Sequence, residues 1–226
     1  MASVAQVVAR IIENRPFLEE AIASEIVNYA YLADMLKPEV EAELNREVKR
    51  AAIVMALRRL SEGMKKGFEG IGTVFFNESD ITAKSGIFEL TIERNQDTLK
   101  KVSKLYDIVD FSKGDFLTVT QGLYEITILS NEKYRKSIEE LFGSKEKFRV
   151  IDKLASITVR IPEHAVSEIG NFYVLTKALS WNNISIVELV STFTEMTFII
   201  RERDTGHAFE AVKNLVERSS KSGLRL

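Results

Sequence analysis

The chain has 226 residues, a formal net charge of -2, 45% hydrophobic and 28% charged residues, no cysteine, two histidines and three prolines. A chain of this length buries about 70% of its unfolded surface, enough for one or two cores. Without cysteine, disulfides, thiolate nucleophiles, iron–sulfur clusters and cysteine-bound zinc are excluded. His164 and His207 stand too far apart in sequence to suggest a multi-imidazole metal site. No apolar run approaches the ~18 residues that span a bilayer. Arg10 and Glu13 interrupt the first apolar pattern, so it reads as neither signal peptide nor anchor, and the expected address is the cytoplasm, away from membranes. With charges nearly balanced, any contact with nucleic acid must come from a local patch.

Up to about Lys66 the chain reads as helices. Ser3 caps a first one whose apolar stripe is Val4, Val7, Val8, Ile11 and Ile12. Pro16 opens a second, since a first-turn proline forfeits no helical hydrogen bond. Asn28 caps a short helix to Leu36, Pro38 starts a separate glutamate-rich turn or helix, and Val48 to Glu62 forms the strongest helix. Short helices followed by Gly63, Gly67, Gly70 and a strand-rich stretch give the order of a winged helix-turn-helix. In that arrangement Lys49, Arg50, Arg58 and Arg59 are the candidate DNA contacts. Against it, acids match the bases over this segment, and arginines near a helix C-terminus also serve simply to offset the helix dipole. The stretch from Gly63 to Gly72 lacks the Lys-Ser ending of a phosphate loop and reads as a hinge or turn.

From about Ile71 the period changes to two, and one succession of elements is written twice. The later copy has a strand at Leu154–Ile161, a helix at Ile169–Trp181, strands at Ile184–Phe193 and Met196–Arg201, and a helix at Ala208–Val216. The earlier copy has a strand at Ile87–Ile92, a helix at Thr98–Tyr106, a hairpin of Phe116–Thr120 and Tyr124–Leu129 around Gly122, a helix at Tyr134–Phe142 and a strand at Phe148–Ile151. This is the split βαβ pattern, in which two helices cover one face of a four-stranded sheet. The expected class is therefore α+β: an N-terminal helical, winged-helix-like domain over 1–70, followed by two ferredoxin-like βαββαβ domains over 71–152 and 153–226.

The run from Leu154 to Leu215 resembles an ACT domain, the amino-acid-binding regulatory module of aspartokinase. The resemblance lies in Ile169-Gly170-Asn171 at a helix start, Asn183-Ile184 before the second strand and Ser191-Thr192-Phe193-Thr194-Glu195 before the third. The earlier copy carries it weakly. Two departures stand out. Pro162 and Gly170 are separated by a longer, more polar connection than the family's, and only Gly223-Leu224-Arg225-Leu226 remains to supply a fourth strand, so the second copy needs an edge from elsewhere.

The resemblance implies a small-molecule effector, an amino acid, held between the first loop of one copy and the second strand of a neighbouring copy. Its carboxylate would meet the helix N-terminus at Ile169, Gly170 and Asn171, and its ammonium would meet Asn183 and the backbone entering Ile184. The plainer alternatives are that Gly170 serves a tight turn and Asn183 a helix C-cap. His164 reads as a surface group, Asp204 as a cap beside His207, and Trp181 as a core edge or interface residue. No nucleophile motif, dinucleotide fingerprint or paired carboxylates point to catalysis, a cofactor or a metal. The leading expectation is a non-catalytic, homodimeric regulator that senses an amino acid, with DNA a candidate partner of the helical front. The alternative is a regulatory subunit that docks on an amino-acid biosynthetic enzyme such as an aspartokinase and does not touch DNA.

Overall fold

The computed structural model describes residues 2–68, 79–143 and 146–221, with side chains placed outside 65–68 and 218–221. It divides into two compact units, with the boundary between them falling within 69–78.

The first unit is a bundle of α1 (Val4–Glu13), α2 (Pro16–Ala23), α3 (Tyr29–Leu44) and α4 (Arg50–Phe68). Ser3 forms a full capping box with Gln6, and Pro16 occupies the first turn of α2. The apolar stripes converge on one core: Val8, Ile11 and Ile12 of α1, Ile22 of α2, Leu32, Leu36 and Val40 of α3, and Ile53 and Leu57 of α4. Asn28 accepts from the Ala30 and Tyr31 N–H groups at 3.0 and 3.2 Å, satisfying the open donors of α3. Asn28→Ala is expected to cost about 1 kcal/mol in chemical denaturation.

Two expectations for this unit are corrected. Pro38 does not begin a new helix but lies inside α3, and Gly63 is not a hinge but lies inside α4. Burial of Leu36 and Val40 on either side of the proline, and of Ile53 and Leu57 ahead of the glycine, holds these helices through poor helix formers. Among the described residues this unit contains helices only. Gly70 and the start of the strand-rich stretch, where a wing would stand, fall outside the described residues.

The second unit runs β1 (Asp80–Glu93), α5 (Gln96–Val102), α6 (Leu105–Ile108), β2 (Leu117–Gln121), β3 (Glu125–Asn131), α7 (Arg135–Phe142), β4 (Phe148–Arg160), α8 (Asn171–Trp181), β5 (Ile186–Ser191), β6 (Glu195–Arg201) and α9 (Thr205–Lys221). All six strands form one antiparallel sheet in the order β2-β3-β1-β4-β6-β5. Alternation sends Phe88, Leu90 and Ile92 of β1 and Ile126 and Ile128 of β3 toward Val102, Leu105, Ile138 and Phe142 of the helices. On the opposite face Ile87, Leu129, Leu154 and Ile199 form a second cluster, joined by Phe116 ahead of edge strand β2 and by Val187 and Val190 of edge strand β5. Both edges reach one cluster because the sheet curls.

The two halves of this sheet share their long strands. The strand expected at Phe148–Ile151 and the one expected at Leu154–Ile161 are a single β4, so the boundary drawn at 152/153 falls inside a strand. β1 likewise extends back to Asp80, and its first part, Asp80–Lys84, pairs with Arg160–Ser156 of β4. That segment is the edge the second half lacked. Residues 222–226, considered for that role, lie outside the described residues. Both long strands kink where the halves meet, at Gly86 (φ 67°) and Lys153 (φ 53°).

The repeat extends to individual hydrogen bonds. Gly122 N–H donates to Glu125 O at 2.8 Å, as Thr192 does to Glu195 at 2.9 Å. Arg94 N–H reaches Tyr124 O at 2.8 Å, as Ile161 reaches Thr194 at 2.8 Å. The cross-strand Thr91–Thr127 pair (3.5 Å) has its counterpart in Thr158–Thr197 (2.8 Å).

Candidate functional site

The strand-to-helix end of each half is where the repeat diverges. In the first half β1 passes into α5 through Arg94 and the N-cap Asn95, whereas in the second the chain takes residues 161–170 to pass from β4 to α8. Within that longer loop a 3-10 turn at Glu163–Ala165 leads to Gly170, which adopts φ 103° and opens α8 without a side-chain cap. Glycine is required there, because a Cβ is strained at such an angle. Asn171 follows, only 5% exposed. Its Nδ2 donates to Ala165 O at 2.7 Å and ties the loop together, while its Oδ1 is buried with no hydrogen-bond partner. Ile169, Gly170 and Asn171 are thus together, with Ile169 and His164 exposed.

Asn183 and Ile184 are not with them. They lie at the far end of α8, an 11-residue helix and so about 16 Å away. There Asn183 takes φ 55°, its N–H donates to Ser180 O at 3.0 Å, and Ile184 N–H donates to Leu179 O at 3.1 Å. This pair of bonds, with Leu179 and Ile184 both buried, is a Schellman C-cap, which accounts for Asn183 structurally. The two groups can meet one small ligand only across neighbouring copies.

In the first half, the corresponding end holds a cleft of about 540 Å³ between the end of β1, the tip of the β2–β3 hairpin and the start of β4. Arg94 braces it, donating from Nη1 to Gly122 O at 3.1 Å. Register explains the remaining charges. Glu93 stands opposite Glu125, and Arg149 stands opposite Thr91 on the same face, two residues beyond Lys147. None of Glu93, Glu125, Lys147 and Arg149 forms an ion pair with another described residue. Two cations and two carboxylates, uncompensated and beside the exposed Tyr124 ring, can take a small ligand that carries both signs of charge. Sequence reasoning missed these residues, because they converge only through strand pairing.

A denser set of charges nearby is structural. Tyr134 donates to Asp115 at 2.6 Å, Lys133 lies 2.7 Å from the same carboxylate, and Asp110 N–H donates to Tyr134 Oη at 3.1 Å. Lys133 and Tyr134 hold Asp115 below the usual carboxylate range. Together they fasten the segment before β2 to the start of α7.

Of the expected DNA contacts, Lys49, Arg58 and Arg59 are exposed. Arg50 is engaged within the bundle, 2.6 Å from Asp34 and donating to Ala30 O at 3.0 Å. His207 is exposed on α9. Among the described residues no group of three or more acidic or histidine side chains is placed to hold a metal ion, and no helix is long and apolar enough to cross a membrane.

No protein-family model and no curated protein matches the sequence. Solved structures do. The aspartate kinase from Synechocystis aligns with a TM-score of 0.52 at 11% identity, over 79% of this chain and 33% of that one. The Clostridium acetobutylicum aspartate kinase aligns with a TM-score of 0.51 at 16% identity, over 60% and 34%. The regulatory subunit of aspartate kinase from Thermus thermophilus aligns with a TM-score of 0.49 at 12% identity, over 60% and 95%. The shared feature is the fold. This chain combines helices with a curled antiparallel sheet, shares its fold with parts of the two aspartate kinases, and spans about a third of their length.

Proposed function

We propose that this chain is a non-catalytic regulatory module that senses a small zwitterion, an amino acid, at the strand-to-helix end of its curled sheet. The observation that carries this reading is the cleft with uncompensated charges of both signs: Lys147 and Arg149 suit an α-carboxylate, Glu93 and Glu125 an ammonium. The two halves are then two ferredoxin-like, ACT-type copies that exchange strands. The fold shared with aspartate kinases supports that reading. The start of α8, at Ile169, Gly170 and Asn171, is the second candidate position, with Asn171 Oδ1 as its free acceptor.

A thermal-denaturation screen against the amino acids tests the proposal. A ligand at about a hundred times its Kd adds ~2.7 kcal/mol to the stability of the folded state. The Lys147→Ala/Arg149→Ala double variant is expected to lose at least about tenfold in affinity, since charge-assisted contacts are worth about 1.5–3 kcal/mol each. Loss in Asn171→Ala alone would move the site to α8, and no stabilising amino acid would end the reading.

The helical unit would carry the response, as copies paired in a homodimer. Salt-dependent retention of duplex DNA, abolished by Arg58→Ala/Arg59→Ala, would assign the output to DNA through Lys49, Arg58 and Arg59. Its absence at low salt favours docking on an amino-acid biosynthetic enzyme such as an aspartokinase.

A further inference from the structure

A buried carboxylate stands directly behind the cleft. Glu89, at the centre of β1, is only 5% exposed, with Leu129 of β3 and Ile151 of β4 opposite it. Its Oε1 accepts at 3.2 Å from Oγ1 of Thr91, a cleft-lining residue, so the carboxylate lies one hydrogen bond behind the cleft wall. Its Oε2 is buried with no partner. An oxygen left in this state costs the full loss of its hydration. Beside it is a cation in the converse condition: Arg149 is exposed and forms no ion pair with another described residue.

Strand register puts the two within reach. Arg149 is opposite Thr91 and Ile151 is opposite Glu89, so Glu89 and Arg149 are diagonal neighbours on one face of the β1–β4 pair. Diagonal positions lie about 7–8 Å apart, a gap that a long side chain spans. The other groups around Glu89 do not supply the missing donor. The one proton of the Thr91 hydroxyl already goes to Oε1. Thr127, on the β3 diagonal, is too short to cross and stands 3.5 Å from the Thr91 hydroxyl instead. Lys153 is exposed and displaced by the kink in β4, where Leu154 takes the place opposite Ile87.

We propose that Glu89 is a positioning residue of the cleft, acting through Arg149: with the cleft empty, the guanidinium folds in to donate to Glu89 Oε2, and a ligand carboxylate binds by drawing it outward. Folding in gives the buried oxygen a charge-assisted donor, and the five N–H groups of arginine provide it without loosening Thr91. Binding then exchanges one carboxylate for another on the same guanidinium. The affinity of the cleft for an anion is therefore the difference between two like interactions, and Glu89 sets its size. The pair itself needs no ligand, whereas its part in binding rests on the amino-acid reading of the cleft.

The test keeps those two apart. Urea denaturation of the full chain reads the pair with no ligand present. Arg149→Gln should lower the folded-to-unfolded ratio at least about tenfold, because it strands the buried carboxylate. In a Glu89→Gln background, where no carboxylate remains to strand, the same substitution should change the ratio less than about twofold. Lys147→Gln, two residues earlier in the chain, should have the same small effect in both backgrounds. The part in binding is read from the Arg149 Nε–H resonance in nitrogen-15 NMR during titration with acetate, which carries a carboxylate alone. Glu89→Gln should respond at a concentration about fivefold lower than the wild type, since its arginine no longer has to leave a partner. An equal effect of Arg149→Gln in the two backgrounds would overturn the proposal, as would an equal or weaker acetate response in Glu89→Gln. Coupling in the denaturation cycle with no acetate response in either protein would uphold the pair and overturn the reading of the cleft as a carboxylate site.

Discussion

Phe198→Ala is expected to destabilise the sheet-bearing unit by about 3–5 kcal/mol, measured by urea denaturation followed by far-UV circular dichroism. Phe198 is fully buried and sits in register with Ile157 of β4 and Leu189 of β5. Its alternation places it on the helix-covered face, with Ile200 two residues on and Val174, Leu175, Val212 and Ala208 buried in the helices above. Removing the ring deletes the largest side chain of this half of the core, and the antiparallel ladders on both sides prevent the strands from closing in to fill the space. A domain of ordinary stability, about 5–15 kcal/mol, would retain only a marginal native state. Phe193, 71% exposed at the tip of the β5–β6 hairpin, is the internal control, and Phe193→Ala should change stability by less than about 0.5 kcal/mol. Equal effects of the two variants would mean that Phe198 is not a core anchor.

The strand at Met196–Arg201 was legible in the sequence, whereas the strand expected over Ile184–Phe193 runs only from Ile186 to Ser191 and leaves Phe193 in the hairpin. Equally legible were α1, where apolar spacing and the Ser3 capping box agree, and α2, which Pro16 opens. Where local signals conflict with tertiary packing, the sequence misleads. Pro38 and Gly63 are punctuation marks in an isolated chain, yet Leu36, Val40, Ile53 and Leu57 bury enough apolar surface to carry both helices through them. Asn183 illustrates a different ambiguity, because a left-handed C-cap and a ligand contact call for the same residue at a helix end. The features that converge from distant strands left no local trace. Glu93 faces Glu125 only because β1 pairs with β3, and Arg149 joins them only because β1 also pairs with β4.

Strand sharing leads to a prediction with a larger effect still: neither 79–152 nor 153–221, made as a separate fragment, should fold. The division looks natural in sequence, where charged Asp152 and Lys153 interrupt an apolar pattern. In the structure it cuts β4 at its kink. The fragment 153–221 would lose Asp80–Lys84, the strand that covers β4 on one side, leaving Ile157 and Val159 on an open edge. The fragment 79–152 would keep Asp80–Lys84 unpaired, because its partner, Ser156–Arg160, has gone with the other half. Each loses a whole strand's ladder and the core packing beneath it, against a total stability of about 5–15 kcal/mol for a typical domain. Both should give far-UV spectra of largely unfolded chains with no cooperative thermal transition. Mixing them should restore the fold, since every strand then regains its neighbour. Joining 79–84 to the end of 153–221 should rescue the second half alone, by supplying the missing edge from the other terminus. A cooperative melt of 153–221 by itself would show that the second half does not depend on the borrowed strand.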